Sequence, residues 1–242
     1  MRSIPLLSLW LLSCVLTLPV TAQATSCGEP DWRYGMYDQA HANCSLSQVI
    51  TIDLSYPAWI REHTFAFAIV EHSLLDNRYN FLSYMADTPD FQHRAEFSIR
   101  NSHSTTWYSD TLVSLVLHFD EDSGGAHPHD WIETFTFDLA SEQVIMLEDL
   151  FVDVDLALPI LADAVKAQEG ADIFSLFAYP ADGAEADIEN YRTFILREGA
   201  LVLMLPPHRV GPIHAGMIEV AVPLAEVEAL LASDGLALER NE

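Results

Sequence analysis

The sequence is poor in positive charge. Eleven Lys and Arg residues stand against 36 Asp and Glu, which sets the formal charge at −25 in 242 residues. A surface this acidic repels phosphate backbones and anionic lipid headgroups, which are held through Lys and Arg, so nucleic acid is excluded as a partner. Cysteine is scarce, with three in the chain and no CxxC pair, which argues against a cysteine-built zinc module. Long apolar runs are absent beyond the amino terminus, so no other segment is long enough to span a bilayer.

The amino terminus reads as an export signal. Met1-Arg2 precedes the apolar run Ile4 to Val20, and Ala22-Gln23-Ala24 has the small-x-small pattern of a cleavage site. Cleavage after Ala24 makes residues 1–24 a signal peptide, removes Arg2 and Cys14, and leaves a charge of −26. Leu11-Leu12-Ser13-Cys14 also has the form of a lipoprotein box, in which Cys14 becomes a lipidated first residue. Either way the expected location is the periplasm or the exterior. Cys27 and Cys44 then remain as an even pair in an exported chain. Such a pair reads as a disulfide, worth about 3 kcal/mol through the entropy of the loop it closes, or as two free thiols.

Residue patterns predict an α+β fold, with antiparallel sheets and a few packed helices. Residues 25–48 look irregular. Val49 to Leu54 alternates as a strand ended by Pro57, and Glu62 to Met85 has helical spacing without an internal Pro or Gly. Strand character returns at His93 to Ile99, Thr105 to Phe119 and Trp131 to Leu139, the last two forming a hairpin around a long turn, Asp120 to Asp130. A short strand near Val144 to Leu147 and a helix at Pro159 to Ala167, with the proline in its first turn, come next. A second hairpin (Thr193 to Leu196, Leu201 to Leu205), a strand Met217 to Val222 and a helix opened by Pro223 complete the chain. Without a linker or repeat, the expected division is 25–105 as an amino-terminal module, 106–232 as a second unit and 233–242 as a tail.

Asp122-Ser123-Gly124-Gly125 invites comparison with a chymotrypsin-like serine loop. Glu121 stands where the preceding glycine is required and Ala126 where the following proline is, so the stretch reads as a turn. Gly124-Gly125-Ala126-His127-Pro128 is more specific. With Ser114 to Phe119 before it, Phe135-Thr-Phe-Asp-Leu139 and Leu147-Glu-Asp-Leu-Phe151 after it, and the tail Leu205-Pro-Pro-His-Arg-Val-Gly-Pro212, Gly216 and Val220-Ala-Val-Pro-Leu224, it resembles the extracellular domain shared by RsiV-type anti-sigma factors and PdaC-type peptidoglycan deacetylases. The likeness runs over about residues 106–232, and Ser55-Tyr56-Pro57 before a helix resembles the companion amino-terminal module. The resemblance implies an accessory or sensing domain with no catalytic residue of its own. His129 replaces the usual asparagine, and His208-Arg209 replace tyrosine and glutamate. Neither a sigma-binding segment nor a deacetylase domain accompanies the module in this sequence, so signalling and deacetylation are not carried over.

Gly124 and Gly125 allow positive φ or close backbone approach, and Pro128 stiffens the exit, so His127 sits on a defined loop. Its ring either binds a ligand or caps local backbone. His127, His129 and Asp130, joined by His208 or His214, are candidate zinc ligands, since imidazole and carboxylate suit that ion; the alternative is hydrogen-bonded structural histidines. Trp107, Tyr108 and Trp131 flank the loop as candidate stacking surfaces for a sugar, or as rim packing, and Asp120, Glu121 and Asp122 are either a cation-attracting cluster or a solvated turn. The expected ligand-binding set is Gly124, Gly125, His127, Trp131 and His208. The expected partner is a cationic envelope protein such as a lysozyme-like wall hydrolase, or a cell-wall glycan. A His-centred metal-dependent hydrolase and a structural envelope subunit are the alternatives. Mass spectrometry of the exported protein is expected to give Thr25 as the first residue and one Cys27–Cys44 bond; lipid on Cys14, or two thiols alkylated without reduction, would contradict this.

Overall fold

The structure is a computed structural model that describes residues 33–34, 39–47, 50–87, 97–125, 127–167, 181–206, 210 and 216–232. The signal segment, Cys14, Cys27, His208, Arg209, His214 and the tail 233–242 lie outside the described residues, as does the Cys44 side chain. Strands β1 (Arg33–Tyr34), β2 (Gln39–Ser47), β3 (Ile50–Pro57), β4 (Phe97–Trp107), β5 (Leu112–Asp122), β6 (His129–Asp138) and β7 (Gln143–Val144) form one open sheet in chain order. All neighbours are antiparallel except β3 and β4, which are parallel. A parallel pair needs a crossover, and helix α1 (Thr64–Asp87) supplies it. Helix α2 (Val154–Ala167), a three-stranded antiparallel sheet of β8 (Phe194–Arg197), β9 (Ala200–Leu205) and β10 (Ile218–Pro223), and the short α3 (Leu224–Val227) follow. The α+β expectation is met.

Strand β5 organises the layers. Leu112 to Leu117 are buried without a break because both faces of the strand are covered. Val113, Leu115, Leu117 and Phe119 pack with Val70, Leu74 and Phe81 of α1. On the other face Val116 meets Ile195, Val202 and Met204 of the small sheet, while Leu112 joins the core around α2. The same burial explains two polar residues in the interior. Met204 N donates to Thr193 O, so the N–H groups of Phe194 and Leu196 point away from β9. They are taken up by hydroxyls of the large sheet, Thr134 Oγ1 at 3.2 Å and Ser114 Oγ at 2.9 Å, and Ser114 is also bonded to Thr136 Oγ1 at 2.9 Å.

Side chains extend the ladders elsewhere. Backbone pairing of β3 with β4 ends at Asp53–Arg100. Asn101 then bonds Ser55 in place of a backbone, accepting from its N–H at 2.6 Å and donating to its carbonyl at 2.9 Å. Glu133 of β6 lies under α1, where Ser73 Oγ and Asn77 Nδ2 both donate to its carboxylate.

Several boundaries differ from the sequence reading. Part of 25–48 is strand. The continuous strand expected from Thr105 to Phe119 is two, because residues 108–111 turn the chain, with Tyr108 N bonded to Leu112 O. Helix α2 begins at Val154 rather than Pro159, since Asp153 Oδ1 accepts from Asp155 N and starts the helix; the exposed Pro159 is then inside it. Residue 105 falls within β4, which pairs with both β3 and β5.

Replacing Ser114 with Ala removes the acceptor for Leu196 N–H at a buried sheet-to-sheet contact. A loss of about 1–3 kcal/mol is expected in urea unfolding, with the m-value unchanged; a variant as stable as the parent would contradict the role given to this hydroxyl.

Candidate functional site

The β5–β6 hairpin is longer than its sequence suggested. Pairing runs without a bulge from Leu112–Asp138 to Glu121–His129. The turn is therefore residues 123–128, and Asp120, Glu121, Asp122, His129 and Asp130 are strand residues rather than loop. Strand alternation sends Asp120 and Asp122 to one face and Glu121 to the other, so the three acids do not form one cluster. The glycines shape the turn. Gly124 has φ 91° and its N–H donates to Asp122 Oδ1 at 3.1 Å, while a Cβ on Gly125 would stand 3.4 Å from the His127 carbonyl.

Antiparallel register places residues directly across from one another. Arg100, Asp120 and Asp130 form one row over β4, β5 and β6, and Ser102, His118 and Ile132 form the next. These rows lie on the face that carries the small sheet further along, at Ser114, Val116 and Thr134. The small sheet stops short of them. A cleft of about 830 Å³ is left, floored by the two rows and bordered by His127, Pro128, His129 and Trp131 on one side and by Pro206, Gly216 and Met217 on the other. The last three flank β9 and β10, whose ends are held together by the Leu205–Ile218 pair.

Of the residues singled out in the sequence, His127, His129, Asp130 and Trp131 line this cleft, and Gly124 and Gly125 turn the chain at its edge. Pro206 and Gly216 bring the two ends of 207–215 to the same cleft; His208 and His214 lie outside the described residues. Trp131 is stacked between Phe119 (4.9 Å, 6° between planes) and His129 (5.1 Å, 27°). Trp107 and Tyr108, expected beside the loop, are at the other end of the hairpin, since Trp107 pairs with Val113 and packs on Trp59 at 5.3 Å. Among the described residues no group of three His, Cys, Asp or Glu side chains converges as a metal site. Sequence reasoning missed Arg100, Ser102 and His118 as cleft residues. The alternation in β5 carried the signal, because His118 and Asp120 share a face, but the register that joins them to β4 and β6 is a tertiary fact.

Asp120 is the perturbed group of the cleft. Partial burial pushes its carboxyl above the ordinary carboxylate range, a hydrogen bond with Asp130 and repulsion from that carboxylate add to the shift, and Arg100 opposes it. Asp120 therefore holds a proton more firmly when folded than when unfolded. A raised folded-state pKa contributes stability at low pH that is lost as pH rises through it. Asp130→Asn removes the repulsion, so its melting temperature is expected above that of the parent at pH 7, with the gap closing toward pH 3. A constant gap across that range in scanning calorimetry would refute the coupling.

Residues 148–225 match the family described as "Protein of unknown function (DUF3298)". The chain is 25% identical over 194 residues to the protein named Esterase Rv3036c of Mycobacterium tuberculosis, covering 76% of this chain and 83% of that one. It is 25% identical over 189 residues to immunogenic protein MPT64 of the same species, covering 75% and 78%. A solved DUF3298 protein from Bacteroides fragilis superimposes with a TM-score of 0.55 at 16% identity over 85% of this chain and 96% of that one. One from Pseudomonas aeruginosa gives 0.54 at 17% identity over 84% and 96%. These two likenesses concern the fold.

Proposed function

We propose that this protein is exported to the cell envelope and binds a ligand in the cleft at the tip of the β5–β6 hairpin, without catalysing a reaction. The observation that carries the reading is the row of Arg100, Asp120 and Asp130 on the floor of an open cleft. Paired carboxylates suit a cation, and a net charge of −25 draws basic proteins toward them, so the preferred ligand is a cationic envelope protein such as a lysozyme-like wall hydrolase. A cell-wall glycan is the other ligand suited to a cleft lined by charged and polar hydrogen-bonding groups. The likeness to the RsiV and PdaC accessory domain, the signal peptide ending at Ala24, a Cys27–Cys44 disulfide and a periplasmic location belong to the same reading, with Cys14 lipidation as the alternative form of export.

A second reading, serine hydrolysis, has its own observation. Ser102 and His118 are directly opposite across β4 and β5, both exposed in the cleft, with Asp120 two residues along the same face. One relative bears the name esterase. A nucleophilic serine activated by an imidazole is the chemistry that pair would offer.

Binding of a basic wall hydrolase and of N-acetylglucosamine oligomers, measured by calorimetry, tests the first reading. Affinity for the basic protein is expected to fall as salt rises from 0.05 to 0.5 M, because the screening length shortens to a few ångströms, and to drop about tenfold in Asp120→Asn/Asp130→Asn. Turnover of short-chain p-nitrophenyl esters that is lost in His118→Ala with the fold intact would replace binding by serine hydrolysis, and turnover lost on chelation would replace it by metal hydrolysis.

A further inference from the structure

The hydrogen-bond phase of the hairpin fixes which backbone groups of β6 are in use. Leu139 N donates to Thr111 O at 2.8 Å. Bonded and non-bonded pairs alternate along an antiparallel ladder, so Trp131, Glu133, Phe135 and Phe137 spend their backbone groups on β5. Asp130, Ile132, Thr134, Thr136 and Asp138 turn their N–H and C=O groups to the opposite edge. Among the described residues only the far end of that edge is covered. Strand β7 has two residues, paired at Phe137–Val144 and Asp138–Gln143, and Ile145 N adds one bond to Thr136 O at 2.7 Å. The chain then leaves for the 3-10 turn Leu147–Leu150. Among the described residues no backbone group bonds the outward edge of Asp130, Ile132 or Thr134.

Exposed edges are usually blunted by lysine, proline, a bulge or shortness. Strand β6 is ten residues long, contains neither Lys nor Pro, and keeps its register with β5 throughout. Asp130 and Ile132 of this stretch also line the cleft, and Thr134 lies next to them under β8. A strand laid beside it would have its cleft-facing side chains next to Asp130 and Ile132, with Asp120 one strand further in. Those neighbours select the occupant. A Lys or Arg across from Asp130 meets the carboxyl pair, and an apolar residue two positions away lies against Ile132 and Met217. A second copy of this chain would bring its own Asp130 and a charge of −25 to the same edge.

We infer that the β6 edge from Asp130 to Thr134 is a strand-addition site for an extended basic peptide segment, whose Lys or Arg side chains enter the cleft while its backbone pairs with Asp130, Ile132 and Thr134. The inference rests on the cationic-ligand reading above and specifies how such a ligand is held. Main-chain bonds supply grip independent of sequence, and alternate side chains supply selection.

The probe is the peptide Lys-Val-Lys-Val-Lys-Val-Lys with blocked ends, in three forms: unmodified, N-methylated at the three Val backbone nitrogens, and N-methylated at the three internal or terminal Lys nitrogens nearest the carboxyl end. Both methylated forms keep the charge, and each removes donors from one edge of the added strand. Calorimetric binding to the full chain at low salt is expected to be more than tenfold weaker for one methylated form and little changed for the other. Loss with methylated Lys means antiparallel addition, and loss with methylated Val means parallel addition. Ile132→Pro removes an outward N–H at an edge position where proline is tolerated; it is expected to weaken binding at least tenfold relative to Ile132→Val, with thermal unfolding monitored for both. Should Ile132→Pro fail to fold, the methylated pair still decides. Equal affinity for both methylated forms would overturn strand addition while leaving charge-driven cleft binding in place. Absence of binding to any form, together with no salt-sensitive binding of a basic protein, would overturn both. A peptide-dissociated dimer in sedimentation velocity would give the edge to a second copy of the chain and overturn the basic-peptide assignment.

Discussion

The burial of β5 on both faces is the constraint from which the rest of the molecule follows. One strand cannot be covered by a helix on one side and a second sheet on the other unless the covering layers come from different parts of the chain. Helix α1 arrives before it in sequence and the small sheet after it. Crossing sheets leave the outer edge of β8 facing the middle of another sheet, where no backbone partner is in reach. Ser114 and Thr134 answer that need with hydroxyls beside the apolar contact of Val116, Ile195, Val202 and Met204. Polar residues here are structural necessities of the crossing, which separates them from the polar residues of the cleft.

The cleft exists because the two layers differ in length. Strands β4 to β6 run on beyond the small sheet, and the rows they present there have no cover. The family match covers α2 and the small sheet, so of the cleft only the Pro206, Gly216 and Met217 wall lies within it, whereas the Arg100, Asp120 and Asp130 floor belongs to β4, β5 and β6, outside the match. The charged chemistry of the site is thus carried by a part of the chain whose properties are its own to establish.

Much of the fold was legible in the sequence because its signals are local. One-face apolar spacing marked β5, a Glu198-Gly199 hairpin marked β8 and β9, helical spacing without Gly or Pro marked α1, and the Pro223 start marked α3. The misreadings share a cause in competition between local and tertiary effects. Gly124, Gly125 and three adjacent acids looked like one long turn, yet pairing of β5 with β6 carries Asp120 and Asp130 into the sheet. Pro159 looked like a first-turn residue, yet the Asp153 cap begins the helix earlier. His127, His129, Asp130 and Trp131 were found from the glycine turn beside them. Arg100 and His118 were not, since nothing within β4 or β5 alone says which residues will be opposite.

Glu133 has one further meaning. Its carboxylate hangs on Ser73 and Asn77 of α1, so the strand that walls the cleft is fastened from behind to a helix on the other side of the sheet. Helix and strand must then shift together or break that fastening. The rigidity of the cleft wall is thereby set by residues 56 and 60 positions away in sequence, which never face the cavity. Loosening Ser73 or Asn77 would soften the site without altering any atom that lines it.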